Sequence, residues 1–145
     1  MKYFLLVASL LVLGCTQKES KPKEACANSQ AKTLKMYKMS EMSALMEQMY
    51  AENQQLKARI QKGEKIGEFP NHFLKIHQAV MTDSSENDAF FKAQAHKFIT
   101  AQEQIYLDPK NAETHFNAGV DACIQCHQVK CAGPIARIKK LYIKP

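Results

Sequence analysis

The segment Phe116–His127, with the sequence FNAGVDACIQCH, combines an apolar helical stripe with a Cys-x-x-Cys-His motif. Side chains three and four positions apart lie on the same side of a helix, so both thiols and the imidazole are predicted to lie together. This motif is the signature of covalent c-type haem attachment. We therefore predict one haem c per chain, with Cys123 and Cys126 as its thioether attachments and His127 as the proximal iron ligand.

Two other chemistries use closely spaced cysteines. A Cys-x-x-Cys pair can be a thioredoxin-like redox motif, but that motif follows a strand, and the residues before Cys123 have a helical pattern. Zinc could bind Cys123, Cys126, Cys131 and His127, although structural zinc usually joins two separated ligand pairs and the chain has no second pair. A haem-free zinc or thiol module is kept as an alternative.

Composition narrows the class of protein. The chain has 145 residues, of which 46% are hydrophobic and 23% charged, as expected for one globular domain. Seven Met, no Trp and five Gly favour helices over strands. The net charge of +6 is mild and no base-reading motif is present, so nucleic-acid binding is not expected. No nucleophile–base pair, paired carboxylate site or phosphate-binding loop is recognisable, so we expect no enzymatic activity.

The first residues have the pattern of a bacterial export signal. Lys2 is followed by an apolar run over 3–13, which is shorter than the about 20 residues a membrane-spanning helix needs. The run ends in LVLGC at Cys15, which resembles a lipobox, in which the Cys is lipidated and becomes the mature N terminus. We predict a signal peptide over 1–14, lipidated Cys15 with a flexible tether over 15–32, and membrane anchoring on the periplasmic side. An ordinary signal peptide with an incidental Cys is the alternative.

The remaining residues, 33–145, are predicted to form a haem-binding domain of four helices. The first is predicted over 33–62, where Asn53 alone interrupts an apolar stripe and Gly63 follows as the expected stop. The second helix is predicted over 70–81 and the third over 86–107. The fourth is predicted to start at Asp108, as N-cap before Pro109, and to run through the Cys-x-x-Cys-His motif. Their expected core residues are Phe73, Ile76, Val80, Phe91, Ala95, Phe98, Ile105, Phe116 and Val120. Short connections indicate an all-α, antiparallel four-helix bundle with the haem on the last helix.

A four-helix bundle with this motif on its last helix resembles the cytochrome c′ family. The likeness covers residues 33–131 and rests on Phe116–His127 and on Met46-Glu47-Gln48-Met49 of the first helix. It implies that His127 binds the iron from one side and that the first helix supplies the other side. Met46 at that position implies a six-coordinate electron carrier, with a reduction potential raised by the thioether. An open position implies a five-coordinate haem that binds nitric oxide or carbon monoxide.

The distal iron ligand is left open by the residues themselves. A methionine stripe at helical spacing is often core filler, so Met46 is one candidate among several. The other methionine candidates are Met39, Met42 and Met49. Bis-His ligation would need one of His72, His77, His96 and His115.

The sequence departs from the family directly after the motif. Family members carry an aromatic residue and then Arg or Lys, whereas here Cys131 occupies the basic position and Lys130 precedes it.

Of the five cysteines, Cys26 and Cys131 are left once lipid and haem are assigned. An even remainder in an oxidising compartment predicts a Cys26–Cys131 disulfide, with two independent thiols as the alternative.

The C-terminal tail is basic. Its five basic residues, with no acidic one, are Lys130, Arg137, Lys139, Lys140 and Lys144. This pattern predicts a basic rim near the haem that steers an acidic redox partner, or simply a solvated face.

The leading hypothesis is a lipid-anchored monohaem cytochrome that transfers electrons between extracytoplasmic partners, and the alternative is a gas-binding haem protein. The family resemblance is also compatible with a homodimer formed through the first helix.

Overall fold

The computed structural model describes residues 38–144, and within that range every regular element is helical and no strand occurs. The all-α prediction is therefore confirmed. The α-helices are α1 (Glu41–Gln61), α2 (Ala89–Leu107), α3 (Ala112–Lys130) and the short α4 (Ile135–Ile138). Single 3-10 segments are Asn71–His77, Ser84–Glu86, Pro109–Asn111 and Lys139–Leu141. The predicted signal peptide, Cys15, the tether and Cys26 lie outside the described residues.

The first long helix, α1, begins later than predicted. Residues 38–40 are not helical, and residues 33–37 lie outside the described range. Ser40 has an extended backbone, and its side chain accepts a hydrogen bond from the Ser43 N–H at 3.2 Å, which caps the helix. At the other end Gly63 has φ +65°, and the Glu64 N–H donates to the Arg59 carbonyl at 2.9 Å. This left-handed ending confirms Gly63 as the stop.

The predicted helix over 70–81 is instead the seven-residue 3-10 segment Asn71–His77. Phe73 and Ile76 are buried as predicted, but Val80 is 63% exposed, so its predicted burial was wrong. The reason is that the Val80 backbone serves the start of α1. Its carbonyl accepts from the Met42 N–H at 3.0 Å, and its own N–H donates to the Glu41 carboxylate at 3.1 Å. An extended chain satisfies those groups, and the Val80 side chain then points outward.

The helices α2 and α3 pack antiparallel against each other. Asp88 caps α2 by accepting from the Phe91 N–H at 2.8 Å, so α2 starts three residues later than predicted. Asp108 precedes Pro109 as predicted, but it makes no side-chain cap to the backbone. Its carboxylate instead accepts from the side chains of Asn111 at 2.7 Å and His115 at 3.2 Å. Pro109 opens a 3-10 turn, and α3 follows from Ala112.

The core has two parts that meet at Cys123. One part, which we call the methionine half, combines the first turns of α1 with segment 71–77 and α2. Its buried members include Met42, Leu45, Met49, Phe73, Ile76, Phe91, Phe98 and Ile99. The other part, which we call the aliphatic half, includes Leu56, Ile105, Phe116, Val120, Ile124, Ile138, Leu141 and Ile143. Cys123 packs against both, so the haem motif lies at the seam of the core.

The C-terminal segment contributes more to the core than its sequence indicated. Ile138, Leu141 and Ile143 are each less than 8% exposed. Asn117 on α3 holds this segment in place, because its side chain donates to the Ile143 carbonyl and accepts from the Ile143 N–H, both at 2.9 Å. None of the helices between residues 38 and 144 has the length and hydropathy that a membrane crossing requires.

Candidate functional site

The haem motif occupies the last turns of α3. Cys123 and Cys126 are partly buried, and His127 is 9% exposed. His127 lines two neighbouring cavities between α1 and the end of α3. The first has a volume of about 70 Å³ and also contacts Cys123, and the second has about 350 Å³ and also contacts Cys126. The three motif residues therefore lie beside two adjoining cavities, with His127 common to both.

Met46 is the methionine of α1 that lines both cavities with His127. Met49 lines only the first cavity and Met42 only the second. Met39 lines neither, precedes the helix and is 49% exposed. Among the four methionine candidates, Met46 is thus the one whose position is common to both cavities at His127.

A hydrogen bond fixes the orientation of the His127 ring. Its Nδ1 lies 3.0 Å from the Cys131 carbonyl oxygen, and because that oxygen can only accept, Nδ1 is the donor. The neutral ring then carries its lone pair on Nε2. Donation from the non-ligating nitrogen to a backbone carbonyl is the usual outer support of a metal-binding histidine. The Cys131 thiol also lies 3.2 Å from Nδ1, so both the carbonyl oxygen and the sulfur of this residue lie beside the ring nitrogen.

The backbone of Cys131 explains how its carbonyl reaches the ring. The helix ends at Lys130, and Cys131 is extended, with φ −159° and ψ 95°. Its N–H still makes the last helical hydrogen bond, to the His127 carbonyl at 3.1 Å, which keeps Cys131 beside the His127 turn. This contact has no direct signal in the sequence beyond the four-residue spacing.

The protonation of the thiols argues against a reactive dithiol. Burial raises the pKa of the Cys123 thiol to about 12, and the nearby Cys126 adds to this effect. Burial also raises the pKa of Cys126, with a further contribution from Cys131. Redox-active cysteine pairs need a lowered pKa because the thiolate is the nucleophile. Both cysteines of the motif are instead held as neutral thiols.

The zinc alternative also lacks support. Within residues 38–144, no three side chains of His, Cys, Asp or Glu come together in a group that could hold a metal ion. The four ligands considered for zinc lie on one helix end, but they do not converge on a common point.

The four other histidines of the described range do not contact either cavity. His72 pairs with Glu52 at 3.0 Å, and His115 pairs with Asp108 at 3.2 Å. His77 and His96 are exposed. Bis-His ligation through these residues is therefore disfavoured by their positions.

The basic residues nearest the cavities are neutralised by carboxylates. Arg137 makes a bidentate pair with Glu47, at 2.8 and 2.9 Å, and its guanidinium lies 4.4 Å from the centre of the Tyr50 ring. Lys130 lies 2.7 Å from Glu86 and 2.6 Å from Asp88, and these bonds raise the pKa of its ammonium to about 12. The positive charges of the predicted basic rim that lie beside the two cavities are therefore neutralised by carboxylates.

The free positive charge lies elsewhere on the tail. Lys57, Lys139, Lys140 and Lys144 surround a shallow depression that we call the lysine patch. Lys57 donates to the carbonyls of Lys140 at 2.8 Å and Tyr142 at 2.7 Å, which fixes the patch to α1. Lys57 was not singled out by the sequence, because its role depends on a contact with the tail.

Comparisons with family models, curated proteins and solved structures return no match for this chain.

Proposed function

We propose that this protein is a lipid-anchored monohaem c-type cytochrome that transfers electrons between extracytoplasmic redox partners. The observation that carries the proposal is the arrangement at His127. The Nδ1 atom of His127 donates a hydrogen bond to the Cys131 carbonyl. Cys123 lines the first cavity and Cys126 the second, and Met46 lines both cavities together with His127. These are the donor set and the outer hydrogen bond that a covalently attached haem requires.

The residues present fit a haem in their chemistry and placement. Two neutral thiols are available for thioether bonds, and His127 has its Nε2 lone pair free of the Nδ1 hydrogen bond. Known ligand pockets have volumes of about 300–1,000 Å³, and the second cavity alone, at about 350 Å³, falls in that range. Met46, Glu47 and Pro134 line both cavities, so displacement of these side chains would join the two spaces.

The chain's own residues would perform three tasks. Cys123 and Cys126 hold the group covalently on α3, and His127 binds iron with an orientation set by Cys131. Met46 would be the second iron ligand and would favour the ferrous state through its thioether. When bound, the haem would supply a reversible one-electron step between ferric and ferrous iron. Two side-chain ligands held by the fold would limit the rearrangement that accompanies that step.

We also propose that the fold is a variant of the four-helix bundle of the cytochrome c′ kind. The three long helices would supply its first, third and fourth members, and segment Asn71–His77 would occupy the position of the second. Support comes from Phe73 and Ile76, which are buried in the methionine half, where a second helix would pack.

The alternative function is binding of nitric oxide or carbon monoxide at an open distal face. One observation favours it: around Met46 the first cavity is walled by apolar side chains of Met49, Phe98, Ile138 and Leu141. An apolar distal face without a bound thioether suits a small uncharged gas.

The lysine patch supports an acidic protein partner. It lies on the segment whose Ile138 and Leu141 line the first cavity, so a partner bound there would approach the haem closely.

Electron exchange should slow with rising salt, because screened charges steer encounters less. Charge reversal of Lys139 and Lys140 to Glu should slow exchange with ferricyanide more than reversal of Lys92 and Lys97 on α2. Equal effects of the two pairs would mean that only net charge matters and would contradict a specific role of the lysine patch in binding the partner.

The deciding experiment is expression of the full chain with a haem-maturation system, followed by haem staining and visible absorbance. The Cys123→Ala/Cys126→Ala variant should lose covalent haem, whereas Cys131→Ala should keep it. A weak far-red band in the ferric form, lost in Met46→Leu and kept in Met49→Leu, would support the electron carrier. A high-spin spectrum with rapid carbon monoxide binding would favour the gas-binding protein. Absence of haem would overturn both.

A further inference from the structure

Three helices meet in a small polar layer inside an otherwise apolar core. Asn53 of α1 and Gln102 of α2 are 5% and 1% exposed. The Gln102 amide N–H donates to the Asn53 side-chain oxygen at 2.8 Å, and the Asn53 amide N–H donates to the Met49 carbonyl at 2.8 Å. Gly119 of α3 completes the layer, because a Cβ atom there would lie 3.3 Å from the Gln102 nitrogen. The close approach of Gln102 therefore depends on a residue without a side chain.

This layer carries a cost that packing alone does not explain. The Gln102 side-chain oxygen is buried and has no hydrogen-bond partner among residues 38–144. Apolar residues of similar size at both positions would avoid that cost and are often neutral or stabilising. Buried polar pairs of this kind are known to select one register over its competitors.

The apolar stripe of α1 does not select a register by itself. Met42, Met46 and Met49 recur at spacings of four and three, and methionine side chains adapt to irregular spaces. A shift of α1 by about one helical turn would exchange one thioether for another at His127, and the adaptable methionine side chains oppose such a shift less than stiff side chains would. Asn53 is the one buried side chain of α1 that recognises a specific partner across the core.

The layer lies at matching distances from the site on two helices. Asn53 follows Met46 by seven residues and Gly119 precedes His127 by eight, which are both about two helical turns. The axial separations are about 10 Å on α1 and about 12 Å on α3 at 1.5 Å per residue. A register fixed at the polar layer is thus transmitted to the level of Met46 and His127.

We propose that the Asn53–Gln102 pair, seated against Gly119, is a positioning device that sets the register of α1, so that Met46 rather than Met42 or Met49 faces His127. The inference rests on the proposed haem ligation. Asn53 also lines the first cavity, and the role assigned here to Asn53 and Gln102 is control over which methionine reaches the iron.

The test is the Asn53→Leu/Gln102→Leu variant of the haem-loaded full chain. We expect its thermal midpoint to be unchanged or higher and its far-red band to remain, because Met42 and Met49 supply the same thioether ligand as Met46. We also expect Met46→Leu to abolish the band in the wild-type background but to leave a residual band in the double-Leu background. A purely structural role would not produce that residual band.

Two matched variants complete the test. Asn53→Gln/Gln102→Asn keeps an amide pair of the same combined length and should restore the complete dependence of the band on Met46. Gln94→Leu removes a buried amide of α2 that makes no hydrogen bond to α1 within the described range, and it should leave the band unchanged.

The outcomes separate this inference from the proposed function. If the wild type has the band and the double-Leu variant keeps it at full intensity and fully dependent on Met46, the inference is wrong while the electron-carrier proposal stands. If the wild type lacks the band, both fail. If the double-Leu variant does not fold, the Gln102→Asn single variant, which shortens one partner, must show the same residual band for the inference to stand.

Discussion

The two halves of the core differ in what fills them. The methionine half has Met42, Met46 and Met49 beside His127 and lines the second cavity, whereas the first cavity lies between the two halves, with Ile138 and Leu141 in its wall. Among the described residues the aliphatic half contains no methionine, and its Ile105 and Phe116 are both 0% exposed. Flexible, polarisable side chains adapt to irregular space, whereas stiff side chains hold a fixed shape. The difference indicates that the aliphatic half provides the rigid support on which the site is built.

The strongest test of this contrast is Phe116→Ala in the aliphatic half. Because Phe116 is fully buried, its truncation should lower the free energy of unfolding by about 3–5 kcal/mol. The matched change in the other half is Phe98→Ala, which should cost less, because the adaptable methionines beside it can collapse into the space left behind. Urea unfolding of both variants measures the two values, and similar losses would remove the distinction between the halves.

The next effect concerns the two hydrogen bonds by which Asn117 holds the C-terminal segment against the aliphatic half. Asn117→Ala removes both hydrogen bonds to the Ile143 backbone, so we expect a loss of about 1–3 kcal/mol. Hydrogen exchange of the Ile143 amide should accelerate more than that of α2 amides. If exchange rises equally everywhere, the tail is not held locally by Asn117.

A smaller effect is expected at the start of α1 in the methionine half. Ser40→Ala removes the cap of the Ser43 N–H and should cost about 1 kcal/mol. Ser40→Asp supplies another capping oxygen and should restore most of this loss. Thermal unfolding of the two variants provides the comparison, and equal midpoints would show that the cap contributes nothing.

The smallest effect belongs to the ion pair at the mouth of the site. Arg137 lowers the pKa of the Glu47 carboxyl, chiefly through their hydrogen bonds, so the pair stabilises the fold above the ordinary pKa of 4.5 and the gain disappears as pH falls below it. Both side chains are about half exposed, which limits the contribution to less than about 1 kcal/mol. Glu47→Gln should therefore differ from the wild type in urea unfolding at pH 7 but not at pH 3. A larger difference at the lower pH would contradict this sign.

Several features of the site followed from local sequence. The spacing of Cys123, Cys126 and His127 placed them together because a helix repeats every three to four residues. The same periodicity identified Phe91, Phe98, Ile105 and Phe116 as core residues. Predictions failed where a distant contact outweighed local pattern, as at Val80, whose backbone serves the start of α1 instead of extending a helix.

Sequence alone determined the helical class of this protein and the placement of the Cys-x-x-Cys-His motif on one face of α3, because both depend on residues close together in the chain. Only the tertiary structure decided that Met46 shares both cavities with His127 and that Asn53 meets Gln102. It also decided that Glu47 neutralises Arg137, 90 residues away, and that Asp88 neutralises Lys130, 42 residues away. Such contacts depend on how helices cross in space, and the spacing of side chains along one helix does not specify that crossing.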